Sequence, residues 1–183
     1  VFEETDGGKK YVLPKADAII NQKQEDCDYP FKELCGAMVA YQLMSALFES
    51  MERGKNDVRA LLPYAAMATV CDVMELQGEN RIVVKAGIEA LKNNNDVGIN
   101  ALIDICKLDK RNIDAYHFGF VLGPCLNASG RLDTAKKAME LLECEDKEMA
   151  FVLAEKLKKL NDERKELTEA GTKEAVRIAE QSD

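Results

Sequence analysis

The sequence holds a single histidine, His117, and none of its six cysteines, at 27, 35, 71, 106, 125 and 144, stands in a C-x-x-C pair. That excludes a zinc ribbon and a thioredoxin-like motif. One histidine with no cysteine or histidine beside it is also a poor metal site, because such sites demand several ligands. No apolar run is long enough to span a membrane, and no internal repeat is visible. Basic residues are scarce: 25 Lys plus Arg face 33 Asp plus Glu, for a net charge of −8. A surface that acidic repels nucleic-acid phosphates unless its cations are gathered in one place, which disfavours a general electrostatic DNA-binding domain.

What is present describes a globular chain. Of 183 residues 46% are hydrophobic and 32% charged, enough to fold around a core without disulfide staples. Cys71 and Cys106 lie in apolar runs and read as small core hydrophobes. With no signal peptide ahead of them, reduced thiols in a cytoplasm are expected. The first residue is Val1, and the last 22 residues, Asp162 to Asp183, carry 11 charges without a terminating signal. Both ends suggest a piece of something longer.

The pattern predicts a mostly α chain with a few short strands. Residues 1–15 read as a loop, and Ala16 to Asn21 as a short strand. From Gly36 to Met51 apolar residues cover most of a helix's circumference, which predicts a buried helix. Asp57 reads as an N-cap for the next helix. Leu61 to Met74 is helical in composition, with Pro63 near its start. Val84, Ile88 and Leu91 mark one helix face, and Ile99, Leu102, Ile103 and Cys106 another. Phe118 to Leu122 reads as a strand between two glycines. Met149, Leu153, Leu157 and Leu160 space an apolar stripe that fades after Asn161 into a charged helix.

Two places carry possible chemistry. Asp72 is the only charged side chain among the 14 residues from Leu61 to Met74. A carboxylate among apolar residues is paired, bound to metal or turned outward, so it is either a functional group or an outward-facing residue at a helix end. In Gly119 to Arg131, G-F-V-L-G-P-C-L-N-A-S-G-R, the pattern predicts a strand running into turn residues, with a helix beginning near Arg131. Exposed N–H groups at such a start form an anion site, to which Arg131 would add a two-donor fork and Asn127 an amide. The alternative is an ordinary connector in which Asn127 or Ser129 caps the helix and Gly130 takes positive φ. His117 fits a structural strand position, Asn80 a helix cap, and 162–183 a solvated helix or linker.

Four segments in order resemble the DHH-family phosphodiesterases, and within them the RecJ single-stranded-DNA exonucleases. They are Leu13-Pro-Lys-Ala-Asp-Ala-Ile-Ile-Asn21, Tyr29-Pro-Phe-Lys-Glu-Leu-Cys-Gly36, Ala68-Thr-Val-Cys-Asp-Val-Met-Glu-Leu76 with Glu79-Asn-Arg81, and Gly123-Pro-Cys-Leu-Asn-Ala-Ser-Gly-Arg131. The resemblance implies that Asp72 is a metal ligand and catalytic residue. It implies that Asn127, Ser129, Gly130 and Arg131, with Ala128 among them, line the substrate-phosphate side, and that Arg131 also acts in catalysis. The chain departs at Cys125, where such proteins usually have Arg, and at Glu75, where they usually have Pro.

The same resemblance places the D-x-D motif, a second aspartate motif and the D-H-H triplet ahead of Val1, and a substrate-gripping domain after Asp183. Residues 1–160 would then be the second half of a DHH-type α/β catalytic domain, and 161–183 the start of a connector helix. The implied activity is 5′ to 3′ hydrolysis of single-stranded DNA in repair and recombination, in the cytoplasm, with two Mn²⁺ or Mg²⁺ ions activating water. Asp72 alone does not assemble such a site, so the isolated chain is expected to be inactive. An exposed sheet edge at a cut would invite it to self-associate. Two other readings stand beside this one: a phosphodiesterase for short oligonucleotides or cyclic dinucleotides, and a non-catalytic helical interaction module.

Overall fold

The computed structural model describes residues 2–5, 8–11, 14–132 and 135–181. The chain divides into two compact units, 1–32 and 33–183. In the first, β1 (Phe2–Thr5) pairs antiparallel with β2 (Gly8–Tyr11), Phe2 opposite Tyr11 and Thr5 opposite Gly8. Over these two stretches strand pairing replaces the loop expected over residues 1–15. The strand expected over Ala16–Asn21 is irregular instead. Its end is consumed by a turn: Lys23 N–H donates to Asn21 Oδ1 at 3.0 Å and Gln24 N–H to the Asn21 carbonyl at 3.2 Å, a local bond that competes with a ladder.

The second unit is helical. Its elements are α1 (Gly36–Ser50), α2 (Lys55–Arg59), α3 (Leu62–Cys71), α4 (Gly78–Lys92) and α5 (Val97–Ile105), then a 3₁₀ turn at Lys110–Asn112. There follow α6 (Ala115–His117), a π-helical segment Phe118–Leu122, α7 (Gly123–Leu132), α8 (Lys136–Leu142) and α9 (Lys147–Glu180). The central pair is α3 on α4, which approach closely because Gly87 has no side chain: a Cβ there would lie 2.2 Å from the Ala66 Cβ and 2.9 Å from the Leu62 carbonyl oxygen.

Several expectations are corrected. Only Met38 of α1 is buried, while Leu43 is 48% and Leu47 43% exposed; within its unit the helix packs mainly on α2 and α3, on one side. Asp57 lies inside α2 and is not its cap. Asn80 is no cap. It is fully buried inside α4, and its Nδ2 donates to the carbonyls of Glu33 at 2.7 Å and Glu75 at 3.0 Å, tying the start of α4 to two loops.

The largest change concerns Phe118–Leu122, a π-helix where a strand was expected. Residues 115–132 form one unbroken helical rod. Phe118, Leu122, Cys125, Ala128 and Ser129 are fully buried, and their spacing of four, three, three and one is that of a helical stripe. Two glycines and a β-branched residue imitate a strand, but tertiary packing of this stripe overrides that local preference.

The stripe on α9 is rotated by about one residue from the expected one. Ala150, Ala154, Leu157 and Asn161 are buried, whereas Met149 is 53% exposed. The two alanines let α9 pack against α5, α7 and α8. The helix is continuous across residue 160, and from Lys165 onward every described residue is exposed.

Candidate active site

The site begins where α3 ends. Asp72 is the C-cap residue of α3 and is exposed. Val73 N–H donates to the Val70 carbonyl at 3.1 Å and Met74 N–H to that of Thr69 at 3.2 Å. These bonds make a Schellman ending with Val73 at the position that favours glycine. Val73 has φ 55° and is 87% exposed, so a β-branched residue is held in left-handed geometry with nothing packed on it, a strained arrangement. It fixes the backbone immediately after Asp72.

The opposite wall comes from the helical rod. Gly123 N–H closes the π-turn onto the Phe118 carbonyl, and the same carbonyl accepts from the Cys71 thiol at 3.6 Å. A Cβ on Gly123 would meet the Cys71 sulfur at 2.2 Å and that carbonyl oxygen at 2.7 Å. Glycine at 123 therefore lets the rod dock on the last residue of α3. Burial, and then the Asp72 charge, raise the Cys71 pKa, which keeps it a neutral thiol.

Between these walls lies a small cleft of about 180 Å³ lined by Cys71, Gly119, Gly123, Pro124, Asn127 and Arg164. Asp72 adjoins it in sequence through Cys71. Asn127 is exposed on the middle of α7. Arg164 reaches in from α9, where its Nη2 donates to Oδ1 of the buried Asn161 at 3.1 Å. The cleft thus joins an amide and a guanidinium, both suited to phosphate oxygens.

The remaining expected residues are placed differently. Ser129 is fully buried, and its hydroxyl donates to the Leu126 carbonyl at 3.2 Å within its own helix, so it supports α7 and faces no solvent. Gly130 is exposed and helical, with no positive φ. Arg131 belongs to the last turn of α7, and its side chain lies outside the described residues. No helix begins at Arg131. The run from Asn127 to Arg131 is the interior and last turn of a helix, so an anion site on free N–H groups does not form there.

His117 occupies no strand. It closes a capping box at the start of α6: its N–H donates to Asp114 Oδ1 at 3.2 Å, and Nδ1 lies 2.6 Å from the same oxygen. Those bonds hold the Asp114 carboxyl below its usual pKa.

The sequence pattern does not single out Arg164, because 162–183 reads as a solvated helix or linker. The signal was there: Ala150, Ala154, Leu157 and Asn161 repeat at four, three and four, and Arg164 stands at the next step. A polar residue buried on such a stripe, followed by a cation, marks a helix face turned toward something polar.

Among the described residues no three His, Cys, Asp or Glu side chains are grouped to hold a metal ion, so Asp72 and its neighbours do not fit a metal site by themselves. Among these residues no helix is long and apolar enough to cross a membrane.

No family model matches the chain. It is 38% identical over 179 residues to the single-stranded-DNA-specific exonuclease RecJ of Dickeya dadantii, and 37% identical over 178 residues to that of Escherichia coli; each alignment covers 92% of this chain and 31% of the relative. With RecJ of Bacillus subtilis the identity is 38% over 169 residues, 92% of this chain and 21% of the relative. Among solved structures, Thermus thermophilus RecJ in complex with Mn²⁺ superimposes with a TM-score of 0.72 at 32% identity, over 80% of this chain and 22% of that one. The same protein with Mg²⁺ gives a TM-score of 0.72 over 80% and 23%. The chain spans about a third or less of the relatives it matches. In sequence and in fold alike, the chain is RecJ-like, the counterpart of one segment of those longer proteins.

Proposed function

We propose that the chain is the segment of a metal-dependent exonuclease that holds the phosphate of single-stranded DNA while the bond is hydrolysed. The observation that carries this reading is the shared cleft. Cys71, which immediately precedes Asp72, and Asn127, from the Asn127-Ala-Ser-Gly-Arg131 run, line one opening together with Arg164. Arg164 binds a phosphate oxygen through guanidinium N–H groups and Asn127 orients a second oxygen through its amide, while Gly130 and Arg131 are assigned to the phosphate side by the resemblance alone. Ser129 anchors α7 from beneath. Such donors stabilise charge that builds on the phosphate during displacement.

Asp72 contributes one carboxylate to a divalent-metal site completed by residues from the rest of the enzyme. Hard cations require several oxygen or imidazole ligands, so the isolated chain is inactive. The RecJ relatives' names specify single-stranded DNA, and the Thermus neighbours are complexes with Mn²⁺ and Mg²⁺; both properties carry over in this reading, with 5′ to 3′ degradation in cytoplasmic DNA repair and recombination. Residues 161–183 start the connector toward a substrate-gripping domain, a reading supported by the exposure of every described residue from Lys165 onward.

The test is hydrolysis of single-stranded and duplex oligonucleotides by the full-length protein with Mn²⁺. Preferential loss of the single strand, reduced by Asn127→Ala in a folded variant, supports the reading. Full activity of that variant, or equal attack on both substrates, overturns it.

A further inference from the structure

Two thiols outside the cleft form a pair that the proposed nuclease chemistry does not use. Cys106 is the C-cap residue of α5, and Cys125 lies in the first half of α7. Their sulfurs are 3.9 Å apart, in mutual contact, and both are free. The sulfurs of Cys35, Cys71 and Cys144 instead meet oxygens, of Thr69, Phe118 and Asp146, at 3.5, 3.6 and 3.3 Å.

The two members of the pair differ in the way a reactive and a resolving thiol differ. Cys106 is half-buried at a helix end, whereas Cys125 is fully buried. Lys158 and Lys165 of α9 add positive charge near Cys106, with Asp162 opposing them. The contact with Cys125 first, and more weakly the lysines, lower the Cys106 pKa against the burial that raises it, while Cys125 is held up by the same contact and by burial. A partly exposed thiolate beside cations is the form that attacks peroxides.

We propose that Cys106 and Cys125 are a redox modification site that forms a reversible disulfide when the protein meets a hydroperoxide, tying α5 to α7. The Cys106 thiolate attacks one peroxide oxygen and breaks the O–O bond. For hydrogen peroxide, this leaves a sulfenic acid and releases water after proton uptake. The Cys125 sulfur then attacks the Cys106 sulfur, its proton leaves with the hydroxyl as a second water, and the S–S bond forms. Two thiols are oxidised and one peroxide is reduced to two waters. The sulfurs must approach by roughly 2 Å to reach bonding distance. Cys106 is placed to move, because α5 ends there and Lys107 turns away at φ 55°. The bond would fix α7 at Cys125, two residues from both Gly123 and Asn127 of the cleft.

The experiment treats the native, reduced chain with hydrogen peroxide, blocks remaining thiols, and maps peptides without reduction. The expected result is a monomer with four blockable thiols in place of six, a Cys106–Cys125 peptide lighter by two hydrogens, and full reversal by dithiothreitol. Cys125→Ser should accumulate a dimedone-reactive sulfenic acid at Cys106, and Cys106→Ser should form no disulfide. The proposal is overturned if six thiols persist, if the disulfide joins other cysteines or two chains, or if Cys106 proceeds to sulfinic acid with Cys125 unmodified. Mapping of the unsubstituted chain decides this even where a variant fails to fold.

Discussion

Gly123 and Cys71 touch so closely that a single added carbon would sit 2.2 Å from the sulfur. This contact sets α7 against the end of α3, and with it Asn127 in the same cleft as Cys71, the residue before Asp72. Gly123→Ala should destabilise the fold by about 1–3 kcal/mol, the usual cost of overpacking. Urea denaturation measures it, and adding Cys71→Ala should recover part of the loss. The Phe118 carbonyl, 2.7 Å from the new carbon, is backbone and keeps the rescue incomplete. A fully additive pair of substitutions would show that the two positions are not coupled.

Val73 offers the opposite sign. Its left-handed geometry costs about 1–2 kcal/mol for a residue with a Cβ, and glycine gives part of that back at the expense of a freer unfolded chain, a loss of up to about 1 kcal/mol. Because the side chain is 87% exposed, little packing is lost. Val73→Gly should therefore stabilise the chain by up to about 1 kcal/mol, read as a higher urea midpoint. A lower midpoint would mean that contacts other than these hold the valine.

The capping box at α6 gives a pH dependence. His117 holds the Asp114 carboxyl below its usual 3.8. A carboxyl lowered in the folded state contributes stability that is complete above its unfolded pKa and is lost as pH falls through its folded value. Stability curves for the native chain and Asp114→Asn should thus differ at neutral pH and converge in acid below 3.8. A difference that persists unchanged into strong acid would contradict the assignment.

Much of this was legible in the sequence where two signals agreed. Ile99, Leu102 and Ile103 mark α5 by period and are buried as expected, and Pro63 stands at the start of α3, where its missing N–H is harmless. The reading failed where local composition and tertiary packing diverged. Phe118-Gly-Phe-Val-Leu122 resembles a strand over five residues, and only the longer stripe through Cys125 and Ser129 reveals a helix. The π-turn is invisible locally: its closing residue, Gly123, packs on Cys71, which is remote in sequence. Asp72 stood out because it is a lone charge in an apolar run. Arg164 did not, because the stripe that leads to it runs through Ala150, Ala154, Leu157 and Asn161, one residue away from the more apolar row of Met149, Leu153 and Leu160.

Arg164 is the most exposed to test of the cleft residues. On the proposed function, Arg164→Ala in the full-length protein should lower single-strand hydrolysis by about 10²-fold or more, the scale of losing one donor to developing charge. It should also flatten the salt dependence of DNA binding by about one phosphate contact. Lysine restores the charge but not the two-donor fork, so Arg164→Lys should recover the salt slope more fully than the rate. Equal rates for all three forms would remove Arg164 from the site.

The central claim is that the end of α3 and Asn127 of α7 belong to one catalytic cleft, and Asp72 tests it most directly. The measurement is Mn²⁺-dependent hydrolysis of a single-stranded oligonucleotide by the full-length protein carrying Asp72→Asn, against Glu89→Gln on α4 as a charge control. Asp72→Asn is predicted to lose activity by about 10²-fold or more, as expected when a catalytic metal loses a carboxylate ligand, while its thermal unfolding and the control's activity stay unchanged. A folded Asp72→Asn enzyme as active as the control would contradict it.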